Sequence, residues 1–193
     1  MIRSYKTEGI IIKRRNFGEL DRILTVLTRR DGKIQVKAPG VRKLTSRRSS
    51  HIELLNLSML TLYKSSRVLF PIVTEAQTFE DFSAIKNTLY KIGFAYYVFE
   101  LIDSLCAENQ ENRRAFFLVR DTLFKLNNYS SNSNEIMQQW NNEVIGDFED
   151  KLLVSLGFLP EAHNIKDRQA FIENILERKL RTKRLLPLFL NEF

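Results

Sequence analysis

The strongest constraint on the fold is a change of hydrophobic period near residue 80. Residues 4–80 contain short runs rich in β-branched residues, separated by turn signals. From about residue 84 onward, apolar residues recur at spacings of three and four. Period two is typical of half-buried strands and period 3.6 of amphipathic helices. The sequence therefore predicts an α+β multidomain chain, with a β domain in residues 1–80 and an all-α helical domain in residues 81–193.

Five short strands are predicted in the first domain. They are placed at residues 5–14, 21–28, 33–38, 54–63 and 69–79. Asp31-Gly32 predicts a tight turn between the second and third strands. Pro71 must lie at a strand start or an edge, because proline cannot donate a ladder hydrogen bond. Five strands joined by meander turns favour a small closed barrel or an SH3-like sheet.

Four helices are predicted in the second domain. They are placed at residues 84–107, 111–126, 135–156 and about 167–186. Gly157 is expected to cap the third helix, with Pro160 just beyond it, and Pro187 to end or kink the fourth.

Positive charge is concentrated in the β domain. The formal net charge is +7, and residues 1–80 carry 16 Lys/Arg against 7 Asp/Glu, whereas residues 81–193 carry 14 against 16. The segment 29–48 holds eight cations and one acid. A turn, a strand and a loop closed by Pro39-Gly40 would hold these cations on one side of the barrel. Such a patch suits a phosphate backbone; the alternative is a solvated surface that only maintains solubility.

A single-strand binder combines a basic groove with aromatic or apolar stacking platforms. Phe17 lies in a polar loop and is the candidate platform, although a loop phenylalanine more often plugs the end of a barrel. The predicted DNA-binding residues are the cations of this region together with this ring: Arg14, Arg15, Phe17, Arg29, Arg30, Lys33, Lys37, Arg42, Lys43, Arg47 and Arg48.

The sequence offers little for metal binding or catalysis. Cys106, His51 and His163 are the only cysteine and histidines and are far apart, so no zinc site and no disulfide are predicted. There is no glycine-rich phosphate loop and no nucleophile elbow, so no catalytic residue is assigned and no enzyme is expected. No signal peptide and no apolar run of membrane-spanning length, about 18 residues, are seen. We therefore expect a cytoplasmic protein without cofactors.

A second basic cluster follows Glu173 and Glu177 near the end of the fourth predicted helix. Acidic residues before basic ones along a helix suit its macrodipole, and Glu177 and Arg181 have the spacing of an i,i+4 ion pair. Alternatively, the cluster forms one rim of a site for an acidic partner tail. The residues assigned to that rim are Arg178, Arg181, Lys183 and Arg184.

The chain resembles the RecO family of bacterial recombination-mediator proteins over nearly its whole length. The β domain contributes GIIIKRRNFGELDRILTVLTRRDGKI, with its Phe17-Gly18-Glu19 loop, then VKAPGVRKLTSR and LFPIVTEAQTFEDF. The helical domain contributes FAYYVFELID, FEDKLLVSLGFLPE and ILERKLRTKRLL. No single segment is diagnostic, but the order of the six is fairly specific.

The resemblance implies a five-stranded oligonucleotide-binding (OB) barrel followed by a helical domain, in a protein associated with the bacterial nucleoid. It implies binding of single- and double-stranded DNA, annealing of complementary strands and work with RecR. It also implies contact with the acidic C-terminal tail of single-stranded DNA-binding protein, which helps RecA load on coated strands.

The chain departs from the family pattern after the third predicted helix. Many members carry a four-cysteine zinc module there, whereas here residues 157–160 lead through residues 161–164 to the last helix. The module is therefore expected to be absent or vestigial near residues 160–166. Two other readings stay open: a non-enzymatic adaptor whose basic barrel binds an acidic protein, and an RNA-binding OB protein.

Overall fold

The computed structural model describes residues 3–129, 134–161 and 165–182. The described chain forms two compact units. The first contains the residues up to Phe82 together with Ala107–Phe116, and the second contains Ser83–Cys106 and the described residues from 117 onward.

The first unit is a closed five-stranded barrel. Its strands are β1 (Arg3–Phe17), β2 (Asp21–Thr28), β3 (Gly32–Ala38), β4 (Leu57–Lys64) and β5 (Ile72–Glu80). They are hydrogen-bonded in the order β1-β2-β3-β5-β4, and β4 pairs back to β1. The β3–β5 pair is parallel and joins Lys37 to Ile72, whereas the other pairs are antiparallel. This order confirms the predicted OB-type barrel.

The long strand β1 takes part in both sides of the barrel. Its first half pairs with β4 and its second half with β2, and the register shifts between Ile11 and Lys13. A bulge of this kind bends a strand enough to turn a barrel corner. The barrel interior is a cluster of aliphatic side chains: Ile11, Leu24, Val26, Ile34, Val36, Ala38, Val41, Ile52, Leu60, Leu62 and Val73.

The predicted strands are confirmed, with shifts at the end of the first and at the starts of the last two. β1 continues to Phe17, which was predicted to lie in a loop, because residues 15–17 keep pairing with β2. β4 begins at Leu57 rather than residue 54, because Leu55 adopts a left-handed φ of 76° and the chain is still turning after a short 3₁₀ helix at Ser50–Ile52. β5 begins at Ile72, immediately after Pro71, whose carbonyl accepts a hydrogen bond from the Lys37 N–H at 2.8 Å. The proline therefore lies at a strand start, as its missing donor requires.

A distant segment, Ala107–Phe116, packs on the barrel beside the β2–β3 turn. The Asn109 N–H donates to the carbonyl of Lys33 at 2.8 Å, and Gln35 Nε2 donates to Glu108 Oε1 at 2.7 Å. A Cβ at Gly32 would lie 1.8 Å from the backbone oxygen of Gln110. This part of β3 is therefore covered by the chain itself.

The second unit is helical. Its elements are α1 (Ser83–Lys86), α2 (Leu89–Leu105), the part of α3 (Arg113–Asn128) from residue 117 onward, α4 (Asn134–Ser155) and α5 (Arg168–Leu176). The helix predicted over residues 84–107 is divided at Thr88, which is extended. Asn112 caps α3 by accepting from the Ala115 N–H at 2.9 Å. Gly157, at φ 79°, ends α4 as predicted. Of the helices in the described part, none is long and apolar enough to cross a membrane.

Two buried polar contacts connect the helices. Tyr97, fully buried on α2, donates its hydroxyl to the carboxylate of Glu149 on α4. Lys91, also buried on α2, donates to the carbonyls of Asn127 and Tyr129 at 3.3 and 2.7 Å. The ammonium of Lys91 thus satisfies carbonyls at the C-terminal end of α3, where a cation is favoured.

The prediction for the last helix is wrong in its length. α5 ends at Leu176, and Glu177 takes a left-handed φ of 52°, so Glu177 and Arg181 are not an i,i+4 pair on one helix. Pro187, predicted to end this helix, lies outside the described residues.

Candidate nucleic-acid interface

Three loops meet at one end of the barrel, which is called the loop end below. They are the β1–β2 loop (residues 18–20), the basic loop (Pro39–Ser49) and the β4–β5 loop (residues 65–71). The Arg42 N–H donates to the carbonyl of Leu20 at 3.0 Å, which joins the basic loop to the β1–β2 loop. The parallel β3–β5 pairing at Lys37 brings the β4–β5 loop beside them.

The basic loop is held by hydrogen bonds and by Val41, which packs in the barrel interior. Lys43 N–H donates to the Gly40 carbonyl at 3.2 Å, and Ser46 N–H donates to the Lys43 carbonyl at 3.0 Å. The guanidinium of Arg48 donates to the Pro39 carbonyl at 2.7 Å and to the carbonyl of Val73 on β5. Arg48, predicted as a DNA contact, therefore also closes the base of this loop.

Asp21 anchors the start of the basic loop. Its carboxylate accepts from the Gly40 N–H at 2.8 Å and from the Lys37 ammonium at 2.9 Å. The Gly40 hydrogen bond, followed by that of Lys37, holds the pKa of Asp21 below its ordinary value of 3.8. The ionised carboxylate is therefore the form that stabilises the folded loop.

Replacing Asp21 by asparagine should destabilise the barrel in a pH-dependent way. The pKa of Asp21 is lower in the folded than in the unfolded protein, so its ionised form contributes stability above about pH 4, and this contribution disappears as the pH falls through the folded pKa. We expect the unfolding free energies of the native protein and Asp21→Asn to differ most at pH 5–7 and to converge below about pH 4. Urea denaturation across this range measures the difference; a difference that grows on acidification would contradict the assignment.

Phe17 does not plug the barrel. Its side chain is 42% exposed, and the ammonium of Lys37 lies 5.1 Å from the centre of its ring. Leu20, three residues on, is 41% exposed. A lysine over an aromatic face is an attractive cation–π contact. The loop end therefore presents apolar surface beside positive charge.

Glu53 positions two arginines at the same end. Its carboxylate accepts from Arg14 on β1 and, at 2.9 Å, from Arg22 on β2. Burial, together with the neighbouring charges of Arg14 and Arg42, lowers the pKa of Arg22 below its ordinary value. Sequence reasoning missed Arg22 and Glu53; the strand position of Arg22, directly after Asp21, was the available signal.

The remaining cations of the loop end are exposed. Arg15, Lys43 and Arg47 are exposed. Arg42 is exposed as well, and its guanidinium donates to the Gly18 carbonyl at 3.2 Å. A hollow of about 480 Å³ lies within the basic loop. Its lining combines backbone, hydroxyls and cations: Pro39, Gly40, Lys43, Thr45, Ser46, Arg47 and Arg48. Such a lining suits phosphate oxygens.

The prediction of a single basic side is wrong for three residues. Arg29, Arg30 and Lys33 lie at the β2–β3 turn, where Thr28 pairs with Gly32, whereas the basic loop leaves β3 at Ala38, which pairs with Arg22. At about 3.3 Å per residue, the length of this hairpin separates the two groups by roughly 20 Å.

Lys33 differs further from the expectation. Its side chain is only 5% exposed, and the bridge between its backbone and Glu108 covers this part of the strand. Arg29 is exposed and lies 3.5 Å from the carboxylate of Glu8. The loop end therefore keeps most of the predicted cations, and the β2–β3 turn holds a separate, smaller group.

The second basic cluster is largely engaged within the helical unit. Arg178 pairs with Glu100 on α2 at 3.1 Å and donates to Ser104 Oγ at 2.5 Å. Glu100 also accepts from the N–H groups of Arg181 and Thr182 at 3.0 and 2.8 Å. Burial opposes ionisation of Glu100, but these bonds outweigh it and lower its pKa. Arg181 is exposed, while Lys183 and Arg184 lie outside the described residues.

A second carboxylate holds the same segment. Glu173 on α5 accepts from Lys179 Nζ at 2.7 Å, from Gln169 Nε2 at 3.1 Å and from the Leu180 N–H at 3.1 Å. These bonds, with that of Lys179 the strongest, lower the pKa of Glu173 to about 2. Two acidic residues thus retain the chain beyond α5, where a helix had been predicted.

Metal ligands are not brought together in the described part of the chain. Among those residues, no group of three His, Cys, Asp or Glu side chains is placed to hold a metal ion. Cys106 is buried, as its position on an apolar helix face predicted. His51 contacts the hydroxyl of Thr78 at 3.1 Å.

The fold defines the class of protein: an OB barrel with a basic loop end, followed by a helical unit. Comparison with known families gives the same assignment. Residues 1–81 match the family model for the recombination protein O N terminal, and residues 86–164 match the model for its C terminal. The chain belongs to the recombination protein O (RecO) family.

Relatives with curated names support a DNA repair function. The chain is 44% identical over 125 residues to a DNA repair protein RecO of Roseiflexus sp., covering 65% of this chain and 43% of that protein. It is 36% identical over 157 residues to one of Dehalococcoides mccartyi, covering 81% and 58%. A third, from Acetivibrio thermocellus, is 30% identical over 155 residues, covering 80% and 58%. The chain thus spans about half the length of these relatives.

Proposed function

We propose that this chain is a DNA-binding recombination mediator that anneals complementary strands and acts by binding rather than by catalysis. The observation that carries this proposal is the loop end of the barrel. There, the exposed cations Arg15 on β1 and Lys43 and Arg47 on the basic loop lie at the same end of the barrel as the half-exposed ring of Phe17. Cations neutralise phosphates, and an aromatic ring stacks on bases of any identity, so the combination suits a strand of arbitrary sequence.

Annealing follows from the same electrostatics. Two complementary strands repel each other because each carries a dense row of phosphates. A basic surface that holds both strands offsets that repulsion and raises their local concentration. The hydrogen bonds of the basic loop support this role because they hold its backbone in place before binding, which lowers the entropy lost on association.

The partners belong to the same proposal. The resemblance to the RecO family suggests work with RecR, and help for RecA on strands coated with single-stranded DNA-binding protein; the names of the relatives add DNA repair alone. The acidic tail of that protein is proposed to meet the segment after α5. Arg181 is the exposed cation of the described part of this segment best placed for such a contact, since Arg178 and Lys179 are paired with Glu100 and Glu173. Lys183 and Arg184 belong to this rim by sequence alone.

An annealing assay tests the proposal in two arms. Fluorescent complementary oligonucleotides are mixed bare or coated with single-stranded DNA-binding protein, with the chain or with its Arg181→Glu variant. We expect the chain to accelerate annealing of bare strands at least about tenfold, the lower range of electrostatically assisted association. Arg181→Glu should keep this acceleration and lose it on coated strands.

Each arm has its own contradicting result. If bare strands anneal no faster with the chain present, the annealing function fails. If Arg181→Glu performs as well as the native chain on coated strands, the tail site at this segment fails while the annealing function stands. Equal binding of duplex RNA and DNA in a competition assay would favour the RNA-binding alternative.

A further inference from the structure

Leu44 is an apolar side chain held fully in water at the tip of the basic loop. Its exposure equals that of an unfolded chain, at 107%, and it lies between Lys43 and Thr45, two residues after Arg42. A single exposed leucine is ordinary on a protein surface. Leu44 is unusual because of its surroundings. The exposed residues beside it in the loop are the cations Arg42 and Lys43 and the hydroxyl residue Thr45.

The loop carries Leu44 on a braced support. The turn bonds from Lys43 to Gly40 and from Ser46 to Lys43 flank the leucine on both sides, and Arg48 ties the base of the loop to β5. Arg42 fastens the same loop to the β1–β2 loop through the carbonyls of Gly18 and Leu20. A side chain presented in this way loses little conformational entropy when it inserts into a ligand.

The loop end therefore combines a protruding aliphatic side chain with cations on either side of it. This is the chemistry of proteins that insert an apolar wedge between base pairs while cations hold the flanking phosphates. A bulky aliphatic group replaces the stacking contact that it interrupts, and the phosphates keep the duplex in place during insertion. The half-exposed Phe17 at the end of β1 and Leu20 on the β1–β2 loop extend the apolar surface that an opened base step would meet.

We infer that Leu44 is a wedge that unstacks a base step of bound duplex DNA. This inference rests on the proposed DNA-binding function and adds an activity to it: local opening of a duplex by the same loop that holds phosphates. Unstacking of this kind lets a mispaired segment reopen during annealing. Leu89 supplies a comparison within the protein, since it is also exposed, at 39%, but lies on α2 of the helical unit and not at the loop end.

The test uses a duplex that contains 2-aminopurine, a base whose fluorescence rises when it unstacks. Saturating native chain should raise the fluorescence at least about twofold, and Leu44→Ala should lose most of this rise. The duplex affinity of Leu44→Ala, measured by anisotropy, should change less than about threefold, because the phosphate contacts remain. The matched variant Leu89→Ala should keep both the affinity and the fluorescence rise.

The outcomes separate the wedge from the proposed function. If the native chain binds the duplex without any fluorescence rise, the wedge is overturned and DNA binding stands. If Leu44→Ala retains the full rise, or Leu89→Ala loses as much, the assignment to Leu44 is overturned; retention with unchanged affinity would also fit a leucine that contacts a protein partner instead. If the native chain fails to bind DNA at all in the anisotropy measurement, the proposed function itself fails.

Discussion

Reversing the two outermost cations of the basic loop, Lys43→Glu with Arg47→Glu, should lower the affinity for single-stranded DNA roughly 25-fold at about 0.1 M salt. Each phosphate contact on a single strand adds about 0.7 to the magnitude of the slope of log association constant against log salt concentration. Loss of one contact therefore costs about fivefold at this salt concentration, and loss of two costs the product of both factors. Fluorescence anisotropy with a labelled oligonucleotide measures the change.

The matched control is the same charge change at the opposite end of the hairpin, Arg29→Glu with Arg30→Glu. It leaves the net charge of the protein identical to that of the loop variant, so a difference between the two reports position rather than total charge. Breaking the exposed Arg29–Glu8 pair is expected to cost at most about 1 kcal/mol of stability. Equal loss of affinity in both variants would show that bulk charge, not the basic loop, governs binding.

Lys37 and Arg42 are less suitable for reversal, although both remain predicted contacts. The ammonium of Lys37 pairs with Asp21 and lies over Phe17, and the guanidinium of Arg42 donates to Gly18. A negative charge at either position would disturb the loop as well as the phosphate contact. Lys43 and Arg47 line the hollow of the basic loop without such a bond among the contacts described above.

Replacing Gly32 by alanine should destabilise the barrel unit by about 3 kcal/mol or more, a loss at the severe end for a single substitution. Gly32 has a φ of 68°, which costs an alanine roughly 1–2 kcal/mol. Its new Cβ would also lie 1.8 Å from the oxygen and 2.5 Å from the carbonyl carbon of Gln110. These are backbone atoms, so the clash cannot be relieved by a side-chain rotation and the segment Ala107–Phe116 must move.

Gly18→Ala isolates the backbone part of this effect. Gly18 has a similar φ of 61°, but an added Cβ would meet no atom within 4 Å. We expect Gly18→Ala to cost about 1 kcal/mol, since only the left-handed backbone is penalised. Urea denaturation followed by hydrogen exchange of barrel amides, including Asn109, compares the two variants. Equal destabilisation would mean that the contact with Gln110 contributes nothing.

Local sequence patterns were sufficient for the elements of the barrel. The β-branched run Asp21–Thr28 is a strand with the predicted bounds, and Gly32 supplies the left-handed turn that Asp31-Gly32 suggested. Alternation and turn chemistry are properties of neighbouring residues, and they determine where strands begin and end. The strand pairing that closes the barrel could not be derived from such local patterns, because the parallel pairing of Lys37 with Ile72 joins residues far apart in sequence.

The candidate site could be predicted only in part, for the same reason. Lys33 reads as one more cation of a basic run, yet the bridge to Glu108, 75 residues along the chain, buries it. Arg22 and Glu53 were missed because their pairing depends on the barrel, not on spacing. The last helix ends early for a similar cause: Glu100 captures the N–H groups of Arg181 and Thr182. Helical periodicity beyond Leu176 could not reveal that competing acceptor.

The salt dependence of DNA binding tests the central claim most directly, because it counts the phosphates that the protein neutralises. The slope of log affinity against log salt, measured with a single-stranded oligonucleotide, should fall by about 1.4 in the Lys43→Glu/Arg47→Glu variant. It should remain close to the native slope in the Arg29→Glu/Arg30→Glu variant. An unchanged slope in the first variant, or an equal fall in the second, would contradict the account that the loop end of the barrel holds the DNA backbone.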